Sequence, residues 1–255
     1  MTDQFAVVGS PISHSKSPII HQACFEFLAK DASYNAHDVT DLAAFLSENV
    51  SLRGLSVTMP LKTQAYQIAK DHDVTGIRTQ NCNTLFRTQS GWSGFNTDVF
   101  GLQQAAGSHA AGTVSILGTG ASARSALVAF ESSRTAIWGR NPAKSSDLAT
   151  EFGVENVALE RALSADLVVS TLPGAALEDL VPVDKVFSGT LLDISYVNAD
   201  SSNLEFAGGR IPGIEMLIWQ ALMQQRIFAG NEPQQPLEHE SKMLEVTRAA
   251  LNMAK

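Results

Sequence analysis

Cysteine is nearly absent from the 255-residue chain, which has only Cys24 and Cys82. The two lie far apart and show neither the spacing of a metal site nor that of a redox-active pair. This excludes a disulfide-stabilised secreted domain, and no metal is expected. The prediction is two free thiols in a reducing compartment.

Long apolar runs are absent as well. No stretch reaches the roughly 20 consecutive apolar residues that are needed to cross a bilayer. The opening residues Met1-Thr2-Asp3-Gln4 lack the basic segment of a signal peptide. These absences predict a cytoplasmic protein that makes no contact with membranes.

Positive charge is scarce, with 18 Lys and Arg against 26 Asp and Glu. Nucleic acids and anionic membranes both favour clustered basic side chains, so the net charge of −8 argues against either as a partner. Residues 111–150 are an exception with four basic residues against two acidic ones: Arg124, Arg134, Arg140 and Lys144 against Glu131 and Asp147. A small ligand that carries a phosphate is expected to bind there.

Composition and apolar patterning predict an α/β fold. Hydrophobic residues make up 44% of the chain, which is enough for a full core. After Val99, continuous apolar segments alternate with helical patterns, which is typical of a parallel sheet covered on both faces. The predicted strands of this half are Thr113–Leu117, Thr135–Trp138, Leu167–Thr171 and Thr190–Asp193. The expected architecture is a Rossmann-type, doubly wound parallel sheet.

The first hundred residues carry a second α/β pattern. Strands are predicted at residues 5–8, 34–38, 52–57, 83–87 and 92–95, and two final helices at 214–228 and 237–253. Thr40 or Asp41 is predicted to cap one helix and Pro60 to open the next. A chain of this length can hold two modest domains. We predict one domain from residues 1–98 completed by 213–255, and a second from residues 99–212.

A glycine-rich turn follows the strand that ends at Leu117. Its sequence is Gly118-Thr119-Gly120-Ala121-Ser122-Ala123, and a helix is predicted from Ala121 to Glu131. Two glycines allow a tight turn and a close approach of the backbone to a pyrophosphate, and a small third residue lets the helix pack on the strand. The alternative is a tight turn that binds nothing. The strand before and the helix after favour dinucleotide binding.

The end of the next strand distinguishes between two dinucleotides. An NAD site has an acidic residue about 20 positions beyond the glycines, which holds the ribose hydroxyls. Here Trp138 is followed by Gly139-Arg140-Asn141-Pro142-Ala143-Lys144, without a carboxylate. Arg140 and Lys144 suit a 2′-phosphate, so NADP is predicted over NAD. The alternative is the exposed basic start of a helix.

Two lone charges, Lys62 and Asp98, each close a polar segment where a strand ends. Lys62 closes Ser56-Val57-Thr58-Met59-Pro60-Leu61-Lys62, and Asp98 closes Gly94-Phe95-Asn96-Thr97-Asp98. Strand ends are the usual place for chemistry on an α/β scaffold. Together the two side chains could move a proton to or from a reacting oxygen. Separately, Lys62 could be a solvated lysine and Asp98 a helix cap.

The chain resembles the shikimate dehydrogenase family nearly from end to end. The resemblance is carried by segments in the family's order: Gly9 to Pro18, Val57 to Lys62, Asn83-Thr84-Leu85, Asn96-Thr97-Asp98, Gly118 to Arg124, Arg140 with Lys144, Asp193 with Tyr196, and Gly213 to Ala221. It implies NADP-dependent, reversible reduction of 3-dehydroshikimate to shikimate in the formation of aromatic amino-acid precursors. It also implies a substrate domain, an NADP domain, and a chain that is a monomer or homodimer.

The resemblance also implies roles for individual residues. The catalytic pair would be Lys62 and Asp98. Ser13 and Ser15 would hold the substrate carboxylate, and further substrate contacts would come from Thr58, Asn83, Tyr196 and Gln220. The pyrophosphate turn would be Gly118, Gly120, Ala121 and Ser122, the 2′-phosphate clamp Arg140, Asn141 and Lys144, and the lining of the nicotinamide Ile194 and Gly213.

Some positions depart from the family's pattern. Ser56 stands where asparagine is usual, Val99 and Glu215 replace glycines, Gln80-Asn81-Cys82 replaces three small residues, and the segment from Ser170 to Gly174 is altered. Two alternatives therefore stay open. One is a quinate or aminoshikimate dehydrogenase of the same family, and the other is a catalytically silent, regulatory NADP-binding module.

Overall fold

A computed structural model of the chain describes residues 2–174, 176–181, 185–195, 204–230 and 232–254. The chain divides into two compact units. The first unit comprises Met1–Thr97 with Ile218–Lys255, and the second comprises Asp98–Leu217. From the sequence we placed the boundaries after residues 98 and 212, and the second boundary of the structure lies inside a helix that begins at Gly213.

The described residues form the following strands and helices. The strands are β1 Asp3–Gly9, β2 Ala32–Asp38, β3 Leu52–Val57, β4 Asp71–His72, β5 Thr84–Thr88, β6 Gly91–Phe95, β7 Thr113–Leu117, β8 Arg134–Trp138, β9 Glu155–Asn156, β10 Leu167–Ser170, β11 Val186–Phe187, β12 Thr190–Asp193, β13 Glu205–Phe206 and β14 Arg210–Pro212. The helices are α1 Ser17–Phe27, α2 Leu42–Glu48, α3 Lys62–Ile68, α4 Val74–Thr79, α5 Asp98–Ala106, α6 Ala121–Ala129, α7 Pro142–Phe152, α8 Leu159–Ala162, α9 Gly213–Phe228 and α10 Glu240–Met253. Short 3-10 turns occupy Gly107–Ala111 and Glu178–Leu180.

The first unit contains a mixed sheet with the strand order β2-β1-β3-β5-β6-β4. β1 pairs in parallel with β2 and β3, whereas β5 is antiparallel to both β3 and β6. Two apolar clusters flank these strands, because β1 sends Ala6 and Val8 into one and Phe5 and Val7 into the other. β5 and β6 form an antiparallel hairpin and correspond to the strands predicted at residues 83–87 and 92–95.

The second unit contains a fully parallel sheet with the strand order β14-β12-β10-β7-β8-β9. With only the strands of this sheet numbered along the chain, this is the order 6-5-4-1-2-3 of a Rossmann fold. The α/β class and the doubly wound sheet predicted from the sequence are confirmed. The crevice that binds ligands in such sheets lies where the strand order reverses, outside the carboxyl ends of β7 and β10.

Sequence signals predicted the start of one helix correctly and that of another incorrectly. The side chain of Asp41 accepts a hydrogen bond from the backbone N–H of Ala44, so Asp41 rather than Thr40 caps α2. Pro60 does not open α3, which begins two residues later at Lys62. Both cysteines are unbridged, as predicted, and both are buried. Among the described residues, no helix is long and apolar enough to span a membrane.

Candidate active site

In the first unit, the predicted substrate residues gather at one edge of the sheet. Ser56 on β3 lies opposite Thr84 on β5, and Thr84 in turn lies opposite Phe95 on β6. The end of β3, the start of β5 and the end of β6 are therefore adjacent. Asn83 directly precedes β5 and links the other two strand ends by backbone hydrogen bonds. Its carbonyl accepts from the Val57 N–H at 2.7 Å, and its N–H donates to the Phe95 carbonyl at 3.0 Å.

Asn83 is also the centre of a buried amide and hydroxyl cluster. Its Oδ1 accepts from the backbone N–H of Thr97 at 2.9 Å, and its Nδ2 donates to Thr97 Oγ1 at 2.9 Å and to Gln220 Oε1 at 3.2 Å. All three residues are at most 5% exposed. Two of the predicted substrate residues, Asn83 and Gln220, are thus in direct contact.

Thr58 and Lys62 follow the end of β3 at the same edge. Thr58 follows β3, and its N–H donates to the Val8 carbonyl at 2.9 Å, which fixes the turn that leads into α3. Lys62 is the first residue of α3 and is 9% exposed. Its carbonyl accepts from the Cys82 N–H at 3.0 Å, next to Asn83. The alternative of a solvated lysine is wrong.

The loop after β1 carries Ser13 and Ser15. Its turn is closed by the Ser15 N–H, which donates to the Ile12 carbonyl at 2.9 Å. The hydroxyl of Ser15 accepts from the Ser17 N–H at 3.3 Å, which helps to start α1. Ser13 is exposed. The loop leaves the sheet beside the Thr58 turn, because the Ser10 N–H donates to the Met59 carbonyl at 3.0 Å.

Beneath this edge lies a buried polar layer that the sequence did not indicate. Tyr34 donates to Ser56 Oγ at 2.6 Å, Ser56 donates to Gln224 Oε1 at 2.8 Å, and the His21 ring contacts the same Gln224 oxygen at 3.0 Å. Complete burial lowers the pKa of His21 to about 3 against the opposing effect of its bond to Gln224, so the ring is neutral near pH 7. Burial likewise raises the pKa of Tyr34.

In the second unit, the glycine turn connects β7 to α6. Gly118 has φ +124°, and a Cβ there would lie 2.2 Å from Thr171 Oγ1. Gly120 precedes α6 with φ −90°, and no atom lies within 4 Å of where its Cβ would be. The turn lies at the reversal of strand order, because Thr171 follows β10. Backbone donors at the start of α6 and the space over Gly120 fit a pyrophosphate.

The predicted phosphate clamp lies at the start of α7. Asn141 caps this helix, since its Oδ1 accepts from the Lys144 N–H at 3.1 Å. Arg140, Asn141 and Lys144 are all exposed. Arg124, which we counted as basic surface for a ligand, instead forms a bidentate ion pair with Glu151. The Glu151 carboxylate, just beyond residues 111–150, therefore offsets one of the four basic charges counted there. Arg134, Arg140 and Lys144 are exposed.

The two positions predicted to line the nicotinamide are neighbours. A Cβ at Gly213 would lie 2.4 Å from the Asp193 carbonyl oxygen and 2.8 Å from the Ile194 carbonyl carbon. Only glycine permits this approach of α9 to the end of β12. Burial raises the pKa of the Asp193 carboxyl, although the Ser195 N–H donates to it. The predicted substrate residue Tyr196 lies outside the described residues.

Asp98 is the first residue of α5 and is 4% exposed. It follows Thr97, which the Asn83 side chain holds, so the position of its backbone is tied to that cluster through one peptide bond. Asp98 stands at a helix start, as a cap would. Burial distinguishes it from an ordinary solvated cap.

Comparison with known proteins places this chain among relatives of similar length. Residues 7–85 match the family model described as the shikimate dehydrogenase substrate binding domain. The NADP-dependent shikimate dehydrogenase of Oleidesulfovibrio alaskensis is 33% identical in an alignment 256 positions long, gaps included, that covers 89% of this chain and 90% of that protein. The chain belongs to the shikimate dehydrogenase family. The enzyme of that name from Thermus thermophilus is 31% identical over 98% of this chain and 99% of its own.

Solved structures of the shikimate dehydrogenase family extend the match to the fold. A Thermus thermophilus enzyme in complex with NADP(H) and shikimate is 28% identical, with a TM-score of 0.77 over 98% of this chain and 100% of that one. The Mycobacterium tuberculosis shikimate dehydrogenase is 29% identical, with a TM-score of 0.80 over 98% of this chain and 99% of that one. Both units therefore have counterparts in these enzymes.

Most departures from the family's pattern have a structural account within this chain. Gln80 ends α4 with φ +53°, where glycine is the easier residue. The neighbouring Asn81 is buried and accepts from Thr63 at 2.9 Å. Val99 belongs to the core of the second unit. Glu215 lies in the first turn of α9, where a carboxylate stabilises the helix dipole.

Proposed function

We propose that this chain is an NADP-dependent shikimate dehydrogenase that interconverts 3-dehydroshikimate and shikimate. The observation that carries the proposal is the gathering of Thr58, Lys62, Asn83 and Gln220 at one edge of the first sheet, within and next to the segment that matches the family's substrate binding domain. A buried lysine and two buried amides at this edge suit a polyhydroxylated ketone better than a purely structural core.

The substrate would be held by short polar side chains. We propose that Ser13 and Ser15 donate to the carboxylate, and that Thr58, Asn83, Tyr196 and Gln220 bond the ring hydroxyls. Leaving a buried donor or acceptor unpaired costs about 1–3 kcal/mol, so a site of this kind rejects analogues that lack a hydroxyl. The first unit would thus be the substrate domain.

Lys62 and Asp98 would perform the proton transfer. As the ketone is reduced, negative charge develops on its oxygen, and Lys62 would stabilise that charge and supply the proton. In the oxidation direction Lys62 would accept the proton back. Asp98 would hold Lys62 in its charged, oriented form and accept a hydrogen bond from a ring hydroxyl.

The second unit would hold NADP, which when bound exchanges a hydride with the substrate's carbon. Gly118, Gly120, Ala121 and Ser122 would hold the pyrophosphate with backbone N–H groups. Arg140, Asn141 and Lys144 would bind the 2′-phosphate. Ile194 and Gly213 would line the nicotinamide. A cytoplasmic location and a monomeric or homodimeric state complete the proposal.

Substitution of Lys62 tests the mechanism. We expect Lys62→Ala to lower kcat by about 10²- to 10⁴-fold while NADPH binding, followed by fluorescence, stays unchanged. Lys70→Ala is the matched control, because Lys70 is an exposed lysine of the same unit. Full turnover by Lys62→Ala would refute the role of Lys62. If the unsubstituted chain binds NADP tightly but shows no turnover, the result would favour the catalytically silent module. If its kcat/KM is higher for quinate than for shikimate, the result would favour a quinate dehydrogenase.

A further inference from the structure

The short helix α4 is held by polar contacts rather than by apolar packing. Its apolar residues Val74 and Ile77 are 71% and 56% exposed, whereas the residues that it buries are Gly76 and Thr79. A six-residue helix that exposes its apolar side chains gains little from the hydrophobic effect and is not stable by itself. The place of α4 in the first unit therefore depends on the hydrogen bonds of its buried face.

Asp73, the N-cap of α4, joins the helix to the end of β6. Its Oδ1 accepts from the Gly76 N–H at 2.7 Å, as a cap does, and also from the Asn96 N–H at 3.2 Å. A Cβ at residue 76 would lie 2.9 Å from this oxygen, so glycine leaves room for it. One carboxylate oxygen thus serves both the helix and the residue that follows β6.

The same helix contacts Asn96 at two further atoms. The Thr75 hydroxyl lies 2.5 Å from Asp73 Oδ2 and 3.0 Å from the Asn96 carbonyl oxygen. The Asn96 side-chain amide donates to Thr79 Oγ1 at 2.7 Å, and the Thr79 hydroxyl donates in turn to the Thr75 carbonyl at 2.7 Å. Asn96 is 1% exposed and Thr79 is 0% exposed, so little water is at hand to replace a lost contact.

Asn96 stands two residues before Asp98. Thr97 lies between them, and its N–H donates to Asn83 Oδ1 at 2.9 Å. Asp98 then begins α5, and the chain passes from the first unit to the second between Thr97 and Asp98. The contacts of α4 and of Asn83 therefore fix the two residues that lead to Asp98.

We propose that Asp73 is a positioning residue, which acts through Asn96 on the backbone that leads to Asp98 and thereby sets the rate of turnover. The inference rests on the proposed function, in which Asp98 orients Lys62. A misplacement of about 1 Å at a reacting group can lower a rate about 10²-fold. Loss of Asp73 should therefore lower kcat, whereas NADPH binding, which is assigned to the second unit, should not change.

Asp73→Ala tests the inference, because it removes the acceptor shared by the Gly76 and Asn96 N–H groups. We expect kcat with shikimate and NADP to fall about tenfold while the Kd for NADPH stays as in wild type. Asp73→Asn keeps an oxygen for both donors and should restore most of the lost kcat. If Asp73→Ala does not fold, Thr75→Val keeps the cap, and its kcat is expected to fall in the same way. A wild-type kcat in the folded variant would overturn the inference.

Asp41→Ala is the matched control. Asp41 caps α2, a helix of similar length in the same unit, by accepting from the Ala44 N–H at 3.1 Å. Its removal should lower stability as Asp73→Ala does and leave kcat unchanged. An equal loss of kcat in both variants would show that the loss reflects stability alone, and it would overturn the inference.

A double-mutant cycle with Asp98 distinguishes positioning from a general structural effect. If Asp73 acts through Asp98, adding Asp73→Ala to Asp98→Asn should lower kcat no further, because the group that Asp73 positions is already altered. If the tenfold loss recurs in the Asp98→Asn background, Asp73 does not act through Asp98.

Hydrogen exchange separates this inference from the proposed function. The backbone N–H of Asn96, followed in ¹H–¹⁵N spectra, is expected to exchange slowly in wild type and in Asp41→Ala, and about tenfold faster in Asp73→Ala. Equal exchange in all three proteins would overturn the inference. A wild-type chain that is inactive on shikimate would refute the proposed function, and the exchange rates would still decide whether Asp73 holds Asn96.

Discussion

At the residue scale, the structure gives different physical reasons for the two glycines of the turn between β7 and α6. Gly118 has a positive φ and lies against Thr171, so a side chain there would disrupt the fold itself. Gly120 has ordinary backbone angles and open space around it. The fold does not require glycine at position 120, and the open space there agrees with the proposed approach of a pyrophosphate.

The pair of substitutions Gly118→Ala and Gly120→Ala separates folding from binding. We expect Gly118→Ala to lower the free energy of unfolding by several kcal/mol. Gly120→Ala should leave it within about 1 kcal/mol of wild type and weaken NADPH binding at least about tenfold. Thermal unfolding and fluorescence titration measure the two effects. If Gly120→Ala binds NADPH as wild type does, the turn is not the pyrophosphate site.

His21 gives the first unit a sensitivity to acid. Its pKa is about 3 in the folded protein against an ordinary value of 6.5, so the unfolded chain binds more protons between these values. The contribution of His21 to stability is therefore complete above about pH 6.5 and is lost as the pH falls, at up to about 1.4 kcal/mol per pH unit.

Replacement of His21 by glutamine should reduce the loss of stability at acidic pH. Between about pH 4 and 6.5, the unfolding free energy of wild type should rise more steeply with pH than that of His21→Gln, because the substituted side chain does not titrate. Asp73 and Asp193, whose pKa values burial raises, are present in both proteins and cancel in the difference. Equal slopes in urea unfolding across this range would contradict the account.

At the element scale, Asn141 caps the N-terminus of α7, independently of its proposed contact with a 2′-phosphate. Asn141→Ala should cost about 1 kcal/mol of stability, whereas Asn141→Asp keeps an acceptor for the Lys144 N–H and should not. The carboxylate of Asn141→Asp would repel a 2′-phosphate and spare NAD, which lacks that group. We therefore expect Asn141→Asp to weaken NADPH binding selectively. Kd values for NADPH and NADH that change together would contradict the clamp.

Elements with a strong apolar pattern were predictable, and elements defined by their neighbours were not. The strands at Leu52–Val57 and Thr113–Leu117 carry their own apolar signal and were predicted with the same bounds. β4, β9 and β14 are two or three residues long and exist because a neighbouring strand offers hydrogen bonds. α4 was missed because Val74 and Ile77, its apolar residues, face solvent rather than the core.

Some residues of the candidate site were likewise predictable from the sequence, and others were not. Lys62, Asp98 and the glycine turn stand out in the sequence because polar residues interrupt apolar strands. His21, Tyr34 and Gln224 do not, since a lone polar residue inside a helix or strand reads as exposed until the tertiary fold buries it. Several hydrogen-bonded pairs in this layer are separated by more than 160 positions in the sequence, as Ser56 and Gln224 are. No local sequence pattern encodes such a pair.

At the scale of the whole molecule, the proposed residues are distributed over both units. Lys62 and the amide cluster belong to the first unit, and Asp98 and the glycine turn belong to the second. The chain passes from one unit to the other at Thr97 and again within α9. Asp98 and Gln220, two residues of the proposed function, lie next to these crossings in the sequence, so both units carry residues of the proposed activity.

The most direct test is the formation of NADPH, followed by absorbance, when the purified chain is given shikimate with NADP. Parallel reactions replace NADP by NAD and shikimate by quinate. The account predicts rapid NADPH formation from shikimate and NADP, and much slower reduction in the other three combinations. If none of the four reactions forms reduced nucleotide, although the protein still binds NADP, the result would contradict the account.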